Sequence, residues 1–175
     1  AKLVSTIDVM SGGRVTLGCG ARWMEEEFVA VNAPPFKERG KVTDEYIKAF
    51  RELWSADNPT FKGDYTEFSD IFFAPKPVQS PHPPIWIGGE SMPAIRRTAR
   101  LGDAWYPIGC NPHHPLDTIE KFSARLDTLK AEAEKIDRDP ASIDLAFWAV
   151  WFGGDTAVKL ESGERMVLTG SPQDI

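Results

Sequence analysis

Gly88-Gly89-Glu90-Ser91, followed at once by Met92-Pro93, is the stretch whose residue types could do chemistry. Glycine lets the backbone approach a ligand closely, and serine can cap a helix while offering its hydroxyl. The amides at a helix N-terminus attract an anion, so this order of residues suits a phosphate group. A plainer reading stays open on these residues alone, in which Gly88-Gly89 turns the chain and Ser91 is only a cap. A second glycine-rich exit, Gly18-Cys19-Gly20, follows the apolar run that starts at Val15 and keeps side chains away from anything bound there. Glu25, Glu26 and Glu27 crowd together, but they suit the positive N-terminal end of a short helix better than a catalytic carboxylate cluster. His82 falls in a proline-rich approach to a strand, and the adjacent His113-His114 pair lacks the spacing for a shared ligand. All three read as structural or solvent-exposed, so no catalytic acid or base and no metal site is assigned.

The elements that must position these groups follow from periodicity. Pro84 to Ile87 reads as a buried strand, and Ala94, Ile95, Ala99 and Leu101 as the apolar face of a helix whose Arg96, Arg97 and Arg100 face water. Upstream, Leu3, Val4, Ile7 and Met10 predict a helix that stops at Ser11-Gly12-Gly13. A strand over 15–19 and a short helix over 23–30 come next. A clear helix follows, capped by Thr43, with Tyr46, Ile47, Phe50, Leu53 and Trp54 on one face. A hairpin is expected around Lys62-Gly63-Asp64, with a further extended piece over 71–74, and the prolines from Pro75 to Pro84 hold the chain extended. This excursion reads as an insertion around 56–80. Downstream lie a short strand within 102–108 and a long helix carrying Ile119, Phe122, Leu126, Leu129, Ala133 and Ile136. An almost wholly apolar strand over 143–152, buried on both faces, is expected next. Residues 165–168 read as extended, and Ser171-Pro172 opens one more helix.

Alternating helices and strands imply right-handed crossovers and a parallel sheet, so the class is α/β. Every glycine-rich feature falls at the C-terminal end of a strand, where both doubly wound sheets and barrels place their ligands. Neither GxGxxG after a strand nor a P-loop is present, which gives nucleotide-binding doubly wound folds no positive support. The 175 residues, 42% of them hydrophobic, suffice for one substantial core without a transmembrane span. A formal net charge of −6 argues against nucleic-acid or anionic-membrane partners. Cys19 and Cys110 lack metal or disulfide spacing, and a cytoplasmic location fits. The beginning at Ala1 and the unfinished helix after Ser171 both read as cuts.

A specific likeness runs through Ser11-Gly12-Gly13-Arg14, Gly18-Cys19-Gly20, Glu38-Arg39-Gly40, Phe73-Ala74-Pro75-Lys76-Pro77-Val78-Gln79, His82 to Gly89 and Ala99 to Trp105. In order and spacing these resemble the bacterial luciferase-like monooxygenase family, and within it the branch of oxidoreductases that use the deazaflavin coenzyme F420. The resemblance implies a (β/α)8 TIM-type barrel, usually a homodimer, of which residues 1–175 supply about the fourth to seventh strands. It implies a flavin- or deazaflavin-dependent oxidoreductase or monooxygenase acting on a small organic substrate, with coenzyme F420 preferred to FMN as cofactor. Gly88, Gly89, Glu90 and Ser91 match the family's phosphate loop, and Gly18, Cys19 and Gly20 the strand end beside the cofactor ring. Arg22 stands where the family often has a third glycine. Tyr106 falls at a strand end where an aromatic either faces the substrate pocket or simply packs. Trp148 is a second pocket candidate, and the apolar Trp148 and Val150, at positions where sulfonate-oxidising relatives carry ionisable residues, speak against an alkanesulfonate substrate. Two rivals are an incomplete or non-catalytic cofactor-binding flavoprotein and a non-redox barrel enzyme that binds a phosphorylated substrate.

Overall fold

The computed structural model describes residues 1–109 and 111–148. The chain divides into two compact units, Ala1–Ile85 and Trp86–Ile175.

The first unit begins with α1 (Lys2–Ser11), which ends where Gly12 takes the left-handed conformation at φ 67 and Gly13 N–H donates to the Asp8 carbonyl at 2.9 Å. The predicted helix is present, but its burial is the reverse of the expected one. Leu3 and Met10 are 71% and 82% exposed, whereas Ser5 and Asp8 are fully buried. The reason lies some 70 residues away. The Asp8 carboxylate accepts from the Val78 N–H at 2.9 Å, the Gln79 N–H at 3.1 Å and the Gln79 side-chain amide at 2.7 Å. A proline-rich segment has few amides and no ladder to place them in, so a carboxylate takes the place of a neighbouring strand. Burial pushes the Asp8 carboxyl up, but these bonds and one from Val15 N–H outweigh it and hold it below its ordinary value.

After β1 (Leu17–Cys19), whose Leu17 N–H donates to the Pro84 carbonyl at 2.8 Å, comes α2 (Glu25–Ala30) and then α3 (Arg39–Ser55). Thr43 is not the cap of α3. It lies inside the helix, where its hydroxyl donates back to the Arg39 carbonyl at 2.7 Å. A single 3-10 turn over Phe36–Glu38 starts the helix early, with the Arg39 guanidinium 4.0 Å from the centre of the Phe36 ring. Val42, Ile47, Ala49 and Trp54 are the buried residues of α3.

The expected hairpin forms as β2 (Phe61–Lys62) paired antiparallel with β3 (Glu67–Phe68). The Glu45 carboxylate of α3 enters its turn and accepts from the Asp64, Tyr65 and Thr66 N–H groups at 2.7–2.8 Å. Burial pushes the Glu45 carboxyl up, but these three donors and the nearby Lys48 charge hold it below its ordinary value. The extended piece expected over 71–74 forms no strand. Instead Lys76 reaches the exposed end of α3, donating to the Leu53 carbonyl at 2.8 Å.

The second unit is built on β4 (Ile85–Gly88), α4 (Met92–Leu101), β5 (Ala104–Tyr106), α5 (Ile119–Glu134) and β6 (Asp144–Leu145). β4 and β5 run parallel with Gly88 opposite Tyr106, and β5 and β6 run parallel with Ala104 opposite Asp144. Ile95, Ala99, Trp105, Leu129, Ala133 and Ile143 make the core, and Phe122 stacks on Trp105 with ring centres 5.5 Å apart. Not every arginine of α4 faces water. Arg97 is 3% exposed, three residues from buried Ala94 and four from Leu101, on the face that packs inward.

The strand expected over 143–152 is shorter and more exposed than its apolar composition suggests. β6 spans two residues, and Leu145 and Trp148 are 50% and 54% exposed. One edge bonds β5 and its continuation, with Asp144, Ala146 and Trp148 N–H groups donating to Asp103, Trp105 and Pro107 carbonyls at 2.9–3.0 Å. Among the described residues no strand lies on the other edge. Residues 149–152, the extended piece over 165–168, the helix after Ser171 and Cys110 lie outside the described residues.

Candidate functional site

The loop between β4 and α4 has the backbone that its glycines predict. Gly89 sits at φ 108, a conformation that side chains of L-residues rarely adopt, and a Cβ added there would lie 3.1 Å from the Ala94 Cβ. Its carbonyl accepts the Trp105 indole N–H at 3.0 Å, which fixes the peptide from the β5 side. Ser91 takes extended backbone at the N-cap of α4 without a side-chain capping bond, while its carbonyl accepts Ile95 N–H at 3.0 Å. The first amides of a helix have no acceptor within it, and Pro93 removes one of them from the account. The end of β4 therefore presents a hydroxyl and helix-terminal N–H groups to whatever binds there, a donor set suited to a phosphate.

Glu90 points the other way. Its side chain is fully buried; one carboxylate oxygen accepts the Ile108 N–H at 2.6 Å and the other accepts the Asn111 side-chain amide. Tyr106, in register with Gly88, packs half-buried against Trp86 with ring centres 5.5 Å apart. Gly88 to Ser91 and Tyr106 thus share one end of the β4–β5 pair. Trp148 is one strand farther out, bridged to Ile108 beyond the end of β6.

In the first unit, Gly18, Cys19 and Gly20 form the end of β1 and its exit. A Cβ added at Gly18 or Gly20 would meet nothing within 4 Å, so the strand end opens onto free space. From Gly20 a cavity of about 430 Å³ runs between α2 and α3, walled by Phe28, Val31, Pro34 and Val42, with Arg22, Thr43 and Tyr46 among its polar residues. Arg22 has φ 58, so it holds the left-handed backbone that a glycine adopts without cost, and its guanidinium pairs with Glu27. His82 lies half-buried beside Trp54, and His113 is exposed. Among the described residues no group of three or more His, Cys, Asp or Glu is arranged to hold a metal ion.

Sequence reasoning missed Asn111 and the indole N–H of Trp105. A polar residue in the loop after β5 was the only signal for Asn111, and Trp105 read as core packing alone.

The model of a known family, described as luciferase-like monooxygenase, matches residues 1–174. The chain belongs to this family. Over 135 residues it is 36% identical to an FMNH(2)-dependent dimethylsulfone monooxygenase of Pseudomonas putida, covering 76% of this chain and 35% of that protein. Over 177 residues it is 31% identical to an uncharacterised protein of Mycobacterium tuberculosis, covering 98% and 58%. A monooxygenase of Streptomyces bottropensis superposes with a TM-score of 0.71 at 22% identity, over 89% of this chain and 46% of that one. An F420-dependent secondary alcohol dehydrogenase, solved with an F420–acetone adduct, gives 0.67 at 26% identity over 87% and 44%. The fold is that of the luciferase-like TIM-type barrel, and the chain spans about a third to three-fifths of the length of these family members.

Proposed function

We propose that this chain belongs to an oxidoreductase that uses a phosphate-bearing flavin or deazaflavin on a small organic substrate, with coenzyme F420 preferred to FMN. The observation that carries this is Gly89 at φ 108 two residues before the N-cap of α4, a close-approach backbone leading into the N-terminus of a ten-residue helix. The cofactor class is supported by the relatives' names, one FMNH(2)-dependent and one F420-dependent. The preference for F420 rests on the sequence resemblance.

When bound, such a cofactor supplies the hydride or oxygen chemistry. Gly88, Gly89, Ser91 and the first amides of α4 hold its phosphate, and Ser91 donates its hydroxyl. Gly18, Cys19 and Gly20 keep the ring-side role that the resemblance gives them. Tyr106 and Trp148 offer aromatic surface to the substrate, which favours an uncharged molecule over a sulfonate. The test is a fluorescence titration of the full-length protein with FMN and, separately, with F420. Saturable binding of one names the cofactor, and binding of neither overturns the reading.

A further inference from the structure

We propose that Glu90 is a positioning residue whose buried side chain ties the phosphate loop after β4 to the loop after β5, so that each loop holds the other in shape. This rests on the cofactor reading of Gly88 to Ser91. A carboxylate is a poor neighbour for an anion, yet Glu90 sits in the middle of that loop. The conflict is resolved by direction, because both carboxylate oxygens are turned inward onto donors. The Ile108 N–H lies 2.6 Å from one oxygen, and the Asn111 side-chain amide bonds the other. Asn111 is in turn fixed by the His113 N–H, which donates to its side-chain oxygen at 3.0 Å. Next to Glu90, the Gly89 carbonyl is held by the Trp105 indole. The phosphate loop is therefore fastened to the β5 end through two consecutive residues, one by its backbone and one by its side chain.

The donor pattern supplies the test. Glu90→Gln sets an amide NH2 against the Asn111 NH2, and Asn111→Asp sets a carboxylate against a carboxylate. Made together, the two substitutions exchange donor and acceptor: the new amide oxygen accepts Ile108 N–H, its nitrogen donates to the new carboxylate, and that carboxylate still accepts His113 N–H. In the full-length protein, each single substitution is expected to weaken binding of FMN or F420, whichever the wild type binds, by about tenfold. The pair is expected to recover to within about threefold of wild type, a rescue that loss of packing alone does not produce. Single variants that melt earlier yet bind as wild type does would overturn the tie, and so would a pair worse than either single. A wild type that binds neither cofactor overturns the cofactor reading and this inference with it. Hydrogen exchange on the unmodified protein gives a second readout that needs no variant to fold. Cofactor binding slows the Ile108 and His113 amides if the loops are tied, and unchanged rates count against it.

Discussion

Replacing Gly89 by alanine tests how the loop after β4 carries backbone strain with and without a ligand. At φ 108 an L side chain carries strain of about 1–3 kcal/mol. The added methyl would also meet the Ala94 Cβ at 3.1 Å, on a helix that packs into the core and cannot easily retreat. The loop has two responses. If it keeps its shape, the strain is present with and without ligand, and thermal or urea unfolding reads it as lost stability while affinity stays. If it relaxes in the free protein, binding must restore the strained shape, and the strain appears as affinity weakened by about 5- to 150-fold. Because the Gly89 carbonyl and the Glu90 side chain are both fastened, relaxation must break one of those contacts, so we expect the loss to be divided between stability and cofactor affinity. The assay pairs unfolding with fluorescence titration on the same preparations. Unchanged affinity in a folded but less stable Gly89→Ala protein would show that the loop keeps its strained shape and would refute the expected division, and unchanged stability as well would refute the strain argument itself.

Asp8→Ala leaves the part-buried Val78 and Gln79 amides without their acceptor, and with water able to reach them in part the expected loss is about 2 kcal/mol in urea unfolding. A loss below about 1 kcal/mol would mean that water or a shifted backbone replaces the carboxylate. Acid should weaken the first unit for a related reason. Asp8 and Glu45 are both held below their ordinary values, so their contribution is fully present above the unfolded-state carboxylate range and is lost as pH falls through the depressed values. Stability followed by circular dichroism is therefore expected to fall from about pH 4 downward, with a shallower fall in Glu45→Gln; an identical pH dependence in that variant would sink the assignment.

The junction of β4 and α4 was legible because every signal in it is local: an apolar run, two glycines, a serine cap and a proline within ten residues. The hairpin was legible for the same reason, and the parallel sheet followed from alternation. Long-range partners were not legible. The burial of α1 is decided by Val78 and Gln79, so its hydropathy pattern pointed to the wrong face. Thr43 has the chemistry of a cap, but the helix starts five residues earlier, where Arg39 lies over the Phe36 ring. Trp148 looked like core by composition and is exposed because burial depends on what lies across a strand, which composition does not contain. Glu90 lies in the loop between β4 and α4 as its position in the sequence implies, but the inward direction of its side chain depends on donors 18 and 21 residues farther on.

The grip of Glu45 on the hairpin turn has a mechanical meaning. On α3, Arg39, Val42, Thr43 and Tyr46 form part of the wall of the 430 Å³ cavity, while Glu45 holds three successive amides of the turn. These three bonds couple the hairpin tip to α3. Any roll of α3 that widens or narrows the cavity swings the tip with it, so a label carried there would register what fills a space that the label itself never touches.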